Sequence, residues 1–187
     1  LTIPVVFHII TDGAGAENLS AAVVQAQLDQ LNLDFRNLAG STDPVAADVE
    51  IEFCLAQLDP ADNVMTEPGI NRVTTYGDGP FGQADFEGNG GIKQQTQWDP
   101  NLYMNIWVAD LSGGLLGYAQ FPDASGLAGM PGGAGGAAYE DGVVITYGSA
   151  GSVANPGSGA PYNLGRTLTH EVGHWLGLRH IWGDGGC

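Results

Sequence analysis

Residues 170–180 read His-Glu-Val-Gly-His-Trp-Leu-Gly-Leu-Arg-His, and their spacing decides how the chain folds there. Four residues on an α-helix advance about 400°, so His170 and His174 stand one above the other on one face, where two imidazoles can grip one ion. A third imidazole six residues after His174 cannot share that face if the helix continues. The chain must turn back, and Gly177 is the residue that takes a left-handed conformation cheaply, so the helix is expected to end there and His180 to swing towards the pair. Three neutral imidazoles leave a tetrahedral Zn²⁺ one open position, the arrangement of a catalytic rather than a closed structural site. An ion held in this way lowers the pKa of water towards about 7. Glu171, next to the first ligand, is expected to act as general base and not as a ligand, taking a proton from that water and returning it to the leaving amine. Three of the four histidines fall within these eleven residues, which argues against a surface helix with scattered histidines. The fourth, His8, sits in the apolar run Ile3 to Ile10 and reads as a hydrogen-bonded strand histidine without a chemical role.

A chain of 187 residues with 43% hydrophobic content suits one domain with a substantial core. Its apolar runs are strand-sized, far short of the roughly 20 residues of a membrane span, and no basic leader opens the chain. A soluble protein is expected, and the start at Leu1 suggests a chain already processed by maturation. With 21 Asp plus Glu against 5 Lys plus Arg, the formal charge is -16. That balance repels nucleic acid phosphates and anionic lipid, so neither nucleic acid nor membrane is expected as a partner. Thirty Gly and ten Pro imply long loops, which bound Ca²⁺ could fasten; solubility is the simpler reading of the acidity. Cys54 and Cys187 are too few for a disulfide scaffold but are compatible with one bridge in an oxidising compartment. Cys54, in an alternating strand-like run, is expected as a buried free thiol, and Cys187 has the option of a partner outside the chain.

Along the chain, Ile3 to Ile10 reads as a central strand covered on both faces. Leu19 and Ser20 supply a staple and N-cap to a helix with apolar positions Val23, Val24, Leu28, Leu31 and Phe35. Val49 to Leu58 reads as a second strand, which makes the start a parallel βαβ unit. Thr75 to Gly91 shows neither period and reads as a loop able to host a cation. Tyr103 to Ala109 is a third strand, Leu115 to Phe121 an edge strand stopped by Pro122, and Gly142 to Tyr147 a further apolar strand. Gly126 to Ala138 is low-complexity surface chain. A Gly/Ser/Pro loop, Gly148 to Gly159, leads to the helix of the zinc motif, with its start expected near Asn163 or Leu164.

With the motif in this setting, the chain resembles the metzincin clan of zinc endopeptidases, and within it the pappalysin family. Beyond His170 to His180, the resemblance is carried in family order by Ile51 to Ala56, Gly69-Ile70-Asn71-Arg72, Trp98-Asp99-Pro100 with Tyr103 to Trp107, Gly113 to Ala119 and Asp141 to Ile145. It implies a mixed α/β, metzincin-like fold: a twisted five-stranded sheet, four strands parallel and one antiparallel at the edge, backed by the first helix with the zinc helix beneath. It implies that the antiparallel edge strand forms the upper rim of the cleft and pairs with an extended peptide or protein substrate, at Gly117, Tyr118, Ala119 and Gln120. Secretion and a latent form released by proteolysis are further family expectations. The tight turn with a Met that metzincins carry after the third histidine has no counterpart, since Met65, Met104 and Met130 all precede the motif. Residues 1–187 therefore read as the upper subdomain of a catalytic domain; the lower half of the cleft is either its own C-terminal fragment after proteolytic nicking or lacking from a truncated species, which would bind zinc but cleave little. Family members often bind Ca²⁺ near this region, where Asp184 is a candidate ligand. Two other readings compete with a secreted zinc endopeptidase. A catalytically silent zinc-stabilised binding module sits poorly with the intact Glu171, and an adhesive calcium-binding domain leaves the zinc pattern unexplained.

Overall fold

The protein is described here by a computed structural model covering residues 1–122 and 136–180. Strand β1 (Thr2–Ile10) is its spine, with every residue from Val5 to Ile10 fully buried, as expected of a strand covered on both faces. Helix α1 (Ala21–Phe35) begins at Ser20, whose Oγ accepts from the Val23 N–H at 3.4 Å. Its stripe of Val24, Leu28, Leu31 and Phe35 is buried against the sheet, as the helical period requires. Strand β2 (Glu52–Leu55) returns parallel to β1, with Phe53 beside Ile3, which completes the expected βαβ unit. It is shorter than the expected Val49 to Leu58. Glu50 takes a positive φ of 57°, and Leu58 makes only an isolated bridge to Val64. The reading of Cys54 is corrected too: on this marginal strand Phe53 takes the inward face and Cys54 is exposed. Cys187, Asp184 and Met130 lie outside the described residues, as does most of the Gly126 to Ala138 stretch.

A short strand absent from the sequence reading, β3 (Ile70–Val73), pairs with β1 over Phe7 to Ile10, beyond the Thr2 to Val5 segment that pairs with β2. Strand β4 (Met104–Ala109) takes the opposite edge of β1, so β2 and β3 fill one lane in succession. The sheet continues through β6 (Val143–Thr146), parallel to β4, to β5 (Gly117–Ala119), antiparallel at the end. Six strands in the order β2-β1-β4-β6-β5, with β3 sharing the lane of β2, thus give the expected sheet with an antiparallel margin. Inside the Thr75 to Gly91 stretch read as loop lies a helical turn, α2 (Gln83–Phe86), followed by α3 (Ile92–Thr96). Both are too short to display a period, and buried Phe86 and Ile92 pin them to one face of the sheet with Trp107 and Val144. The other face packs against α1 and the motif helix α4 (Arg166–Trp175).

His8 is the strand histidine expected. Its Nε2 lies 2.8 Å from Asn105 Oδ1 and its Nδ1 lies 2.9 Å from Asn71 Nδ2. An acceptor on one side and an amide donor on the other fit the neutral ring, and a second ring proton would face the Asn71 amide hydrogens. Complete burial lowers its pKa from 6.5 to about 4. Because the folded pKa lies below the unfolded one, the stability held above pH 6.5 is lost as pH falls towards 4, by roughly 3 kcal/mol from this group. Urea unfolding at pH 7 and pH 4 should show a drop in the native chain larger by about that amount than in His8→Gln. Equal drops in the two proteins would defeat the account.

Candidate active site

Helix α4 runs from Arg166 to Trp175, starting after the expected Asn163 or Leu164 because Gly165, in a left-handed conformation at φ 77°, forms its N-cap. Its end is the predicted one. Gly177 takes φ 91°, its N–H donates to the His174 carbonyl at 2.8 Å, and the Leu178 N–H donates to the Gly173 carbonyl at 2.8 Å. These two bonds form a Schellman motif, in which the left-handed residue satisfies the orphan carbonyls of the last turn. The reversal brings His180 back on the pair, with its ring centroid 4.5 Å from that of His174 and 5.2 Å from that of His170.

The three imidazoles face one point. His174 Nε2 lies 3.0 Å from His170 Nε2 and 3.2 Å from His180 Nε2. On its other side, His174 Nδ1 donates to the Leu178 carbonyl at 2.7 Å, which leaves the inward Nε2 of a neutral ring as a lone pair. One lone pair cannot accept from both neighbours at once, whereas one cation can receive all three nitrogens. Ligands about 2.0–2.1 Å from a tetrahedral Zn²⁺ sit roughly 3.3 Å apart, close to the observed spacings. The residues therefore fit a zinc ion. Among the described residues this is the one set of three His, Cys, Asp or Glu side chains close enough to hold a metal; Asp184, the candidate calcium ligand, lies outside them. Burial, together with the neighbouring His174 and His180, lowers the pKa of His170, which favours the unprotonated ring that a metal needs.

Glu171 is buried beside this centre, and desolvation raises its pKa to about 7, against a smaller opposing pull from His180. It lies directly beneath the edge strand. A Cβ placed on Gly117 would come within 3.1 Å of Glu171 Cγ and 2.8 Å of the Val144 carbonyl, so glycine is what allows β5 to lie this low over α4. Strand β5 ends the sheet. The Thr146 N–H donates to the Leu116 carbonyl and the Gln120 N–H to the Gly142 carbonyl. Because antiparallel pairing alternates, Gly117 and Ala119 then direct their backbone groups away from β6. Of the four positions expected on the rim, these two present polar backbone outward, while the Tyr118 ring packs back against the Trp107 cluster. Gln120 lies one residue beyond the strand.

Neither the wall of the cleft nor the aromatic ring beside His174 was expected from the sequence. Leu116, Pro161, Tyr162, Leu164 and Thr167 line a space of about 410 Å³ that opens onto His170 and Glu171. The Phe121 ring lies 5.1 Å from the His174 ring. These neighbours come from separate segments, so local spacing carries no sign of them. The last turn of α4 is tied down by Trp175, whose Nε1 donates to Asp141 Oδ1 at 2.7 Å.

Residues 89–187 match the peptidase M43 family, described as pregnancy-associated plasma protein-A. An extracellular metalloprotease of Verticillium alfalfae is 31% identical over 100% of this chain, which spans 54% of that relative's length. Mirolysin in complex with a small compound superposes at a TM-score of 0.78 with 38% identity, over 100% of this chain and 66% of that one. Mature mirolysin of Tannerella forsythia in complex with a cleaved peptide gives a TM-score of 0.76 and 37% identity, over 100% and 66% of the two chains. The extracellular placement expected from the sequence agrees with the name of the fungal relative. Among the described residues, no helix is long and apolar enough to cross a membrane. On these matches, together with the sheet and the histidine site, the chain belongs to the peptidase M43 family of pappalysin-type metzincins.

Proposed function

We propose that residues 1–187 form the upper subdomain of a secreted zinc endopeptidase, with His170, His174 and His180 as ligands and Glu171 as general base. The observation that carries this reading is the convergence of three imidazole nitrogens beside a buried carboxylate under an edge strand. Zinc held there supplies a Lewis acid that polarises the scissile carbonyl and acidifies water. Glu171 takes the proton of the attacking water on its carboxylate and returns it to the leaving nitrogen. Its burial raises its affinity for the proton, which suits a group that must both accept and release one near neutrality. The outward backbone groups of Gly117 and Ala119 pair with an extended peptide, and neighbouring pockets choose side chains. The cleaved peptide held by mirolysin supports a peptide as the ligand. The chain's own C-terminal fragment is the partner proposed for the lower side of the cleft.

The test combines intact mass spectrometry of every polypeptide in the purified protein with cleavage of a mixed peptide library on the same sample. The expected result is internal cleavage, abolished by a zinc chelator and restored by Zn²⁺. A zinc-loaded sample that contains the C-terminal fragment and still cleaves nothing would overturn the proposal in favour of a binding module.

A further inference from the structure

Helix α1 packs against the sheet with its apolar stripe, yet three polar side chains beside that stripe are also buried. Gln27 and Gln30 are almost wholly enclosed, and the Asp34 side chain is 5% exposed. Their spacing of three and four residues puts them on one face, and that face meets the start of α4. Gln27 Nε2 donates to the Gly165 carbonyl at 3.1 Å, and its Oε1 accepts from the Gly151 N–H at 3.1 Å. Gln30 Oε1 accepts from the Val153 N–H at 3.0 Å, and its Nε2 donates to Asp34 Oδ1 at 2.8 Å. Asp34 then makes the two contacts with α4 itself. Arg166 Nη1 approaches Oδ1 at 3.0 Å, and the Thr169 hydroxyl donates to Oδ2 at 2.6 Å.

A burial of this kind needs a reason, because a carboxylate removed from water is favourable only when its oxygens are fully engaged. Apolar packing alone would hold α1 against α4 but would leave α4 free to rotate or slide by a fraction of a turn. Directional bonds at Arg166 and Thr169, three residues apart on one face, remove both freedoms. Thr169 immediately precedes His170, so its anchorage fixes the direction in which His170 projects, and through the next turn that of His174.

We propose that Asp34 is a positioning residue of the metal site, setting the rotation of α4 and so the aim of His170 and His174. This rests on the zinc reading above. The test measures zinc affinity by chelator competition, and unfolding midpoint without metal, for the native chain, Asp34→Ala, Thr169→Val and Leu28→Ala. Groups bonded directly to metal ligands typically contribute roughly 10–100-fold in affinity; Asp34 acts through Thr169 and touches no histidine itself, so Asp34→Ala should weaken zinc by about tenfold and Thr169→Val by about fivefold. Leu28→Ala removes an apolar contact of the same helix. It should lower the unfolding midpoint at least as much while keeping zinc affinity within about threefold. Asp34→Ala and Thr169→Val both binding zinc within threefold of the native chain would overturn the proposal, as would an equal loss in Leu28→Ala. If Asp34→Ala does not fold, Thr169→Val decides. A native chain that binds no zinc at all would instead strike down the zinc reading itself.

Discussion

Glu171→Gln is expected to lower kcat/KM by roughly 10²–10⁴-fold, the range in which a positioned general base contributes, while leaving zinc bound. The substitution keeps size and hydrogen-bonding reach but removes the group that can carry a proton. Glu171 follows His170, a proposed ligand, and its carboxyl is not among the converging nitrogens, so the ion loses only the through-space attraction of a nearby carboxylate. The pH profile gives a second signature. Burial raises the carboxyl to about 7 in the metal-free protein, and a bound cation pulls it down. The base works when ionised, so activity rises with pH through that pKa, and this acid limb should be missing from the residual activity of Glu171→Gln. A zinc-loaded variant with near-native turnover would remove Glu171 from the role.

His174→Ala should have the larger effect on the metal. His174 Nε2 is the nitrogen that lies within 3.2 Å of both others, so its removal leaves two imidazoles with a gap between them. Zinc affinity is expected to fall well beyond the roughly 100-fold that an outer partner can contribute. Thermal unfolding reads this directly. A ligand at a thousand times its Kd stabilises the folded state by about 4 kcal/mol, which in a domain of this size raises Tm by roughly 10 °C. The native chain should show a rise of that order with zinc, and His174→Ala should show almost none. A comparable rise in both proteins would mean that zinc binds elsewhere.

The parts of this molecule that were legible in the sequence are those whose cause is local. The turn at Gly177, the cap at Ser20 and the burial of β1 each follow from a few adjacent residues. The pairing of His170 with His174 follows from helical pitch alone. What escaped depends on contacts between distant segments. Strand β3 is too short to show an alternation, and its position is dictated by the length of β1 left uncovered by β2. Cys54 alternates in the expected way, but which side is inside is decided by where Phe53 packs. Gln27, Gln30 and Asp34 look like the solvent face of an amphipathic helix until Gly151, Val153, Gly165 and Thr169 are folded onto them. The cleft residues Leu116 and Tyr162 meet His170 and Glu171 only once β5 lies over α4, and Phe121 meets the His174 ring in the same way.

The bond from His174 Nδ1 to the Leu178 carbonyl joins two events usually treated apart. The carbonyl is in place only after the left-handed turn at Gly177 has reversed the chain, so the signal that stops the helix also chooses which nitrogen of the ligand carries the hydrogen. A chain that overruns the stop loses its third histidine and also the acceptor that keeps the hydrogen of the second on Nδ1. On the proposed zinc site, a chain left open at this turn would compete poorly for the ion, and metal uptake would report correct backbone closure.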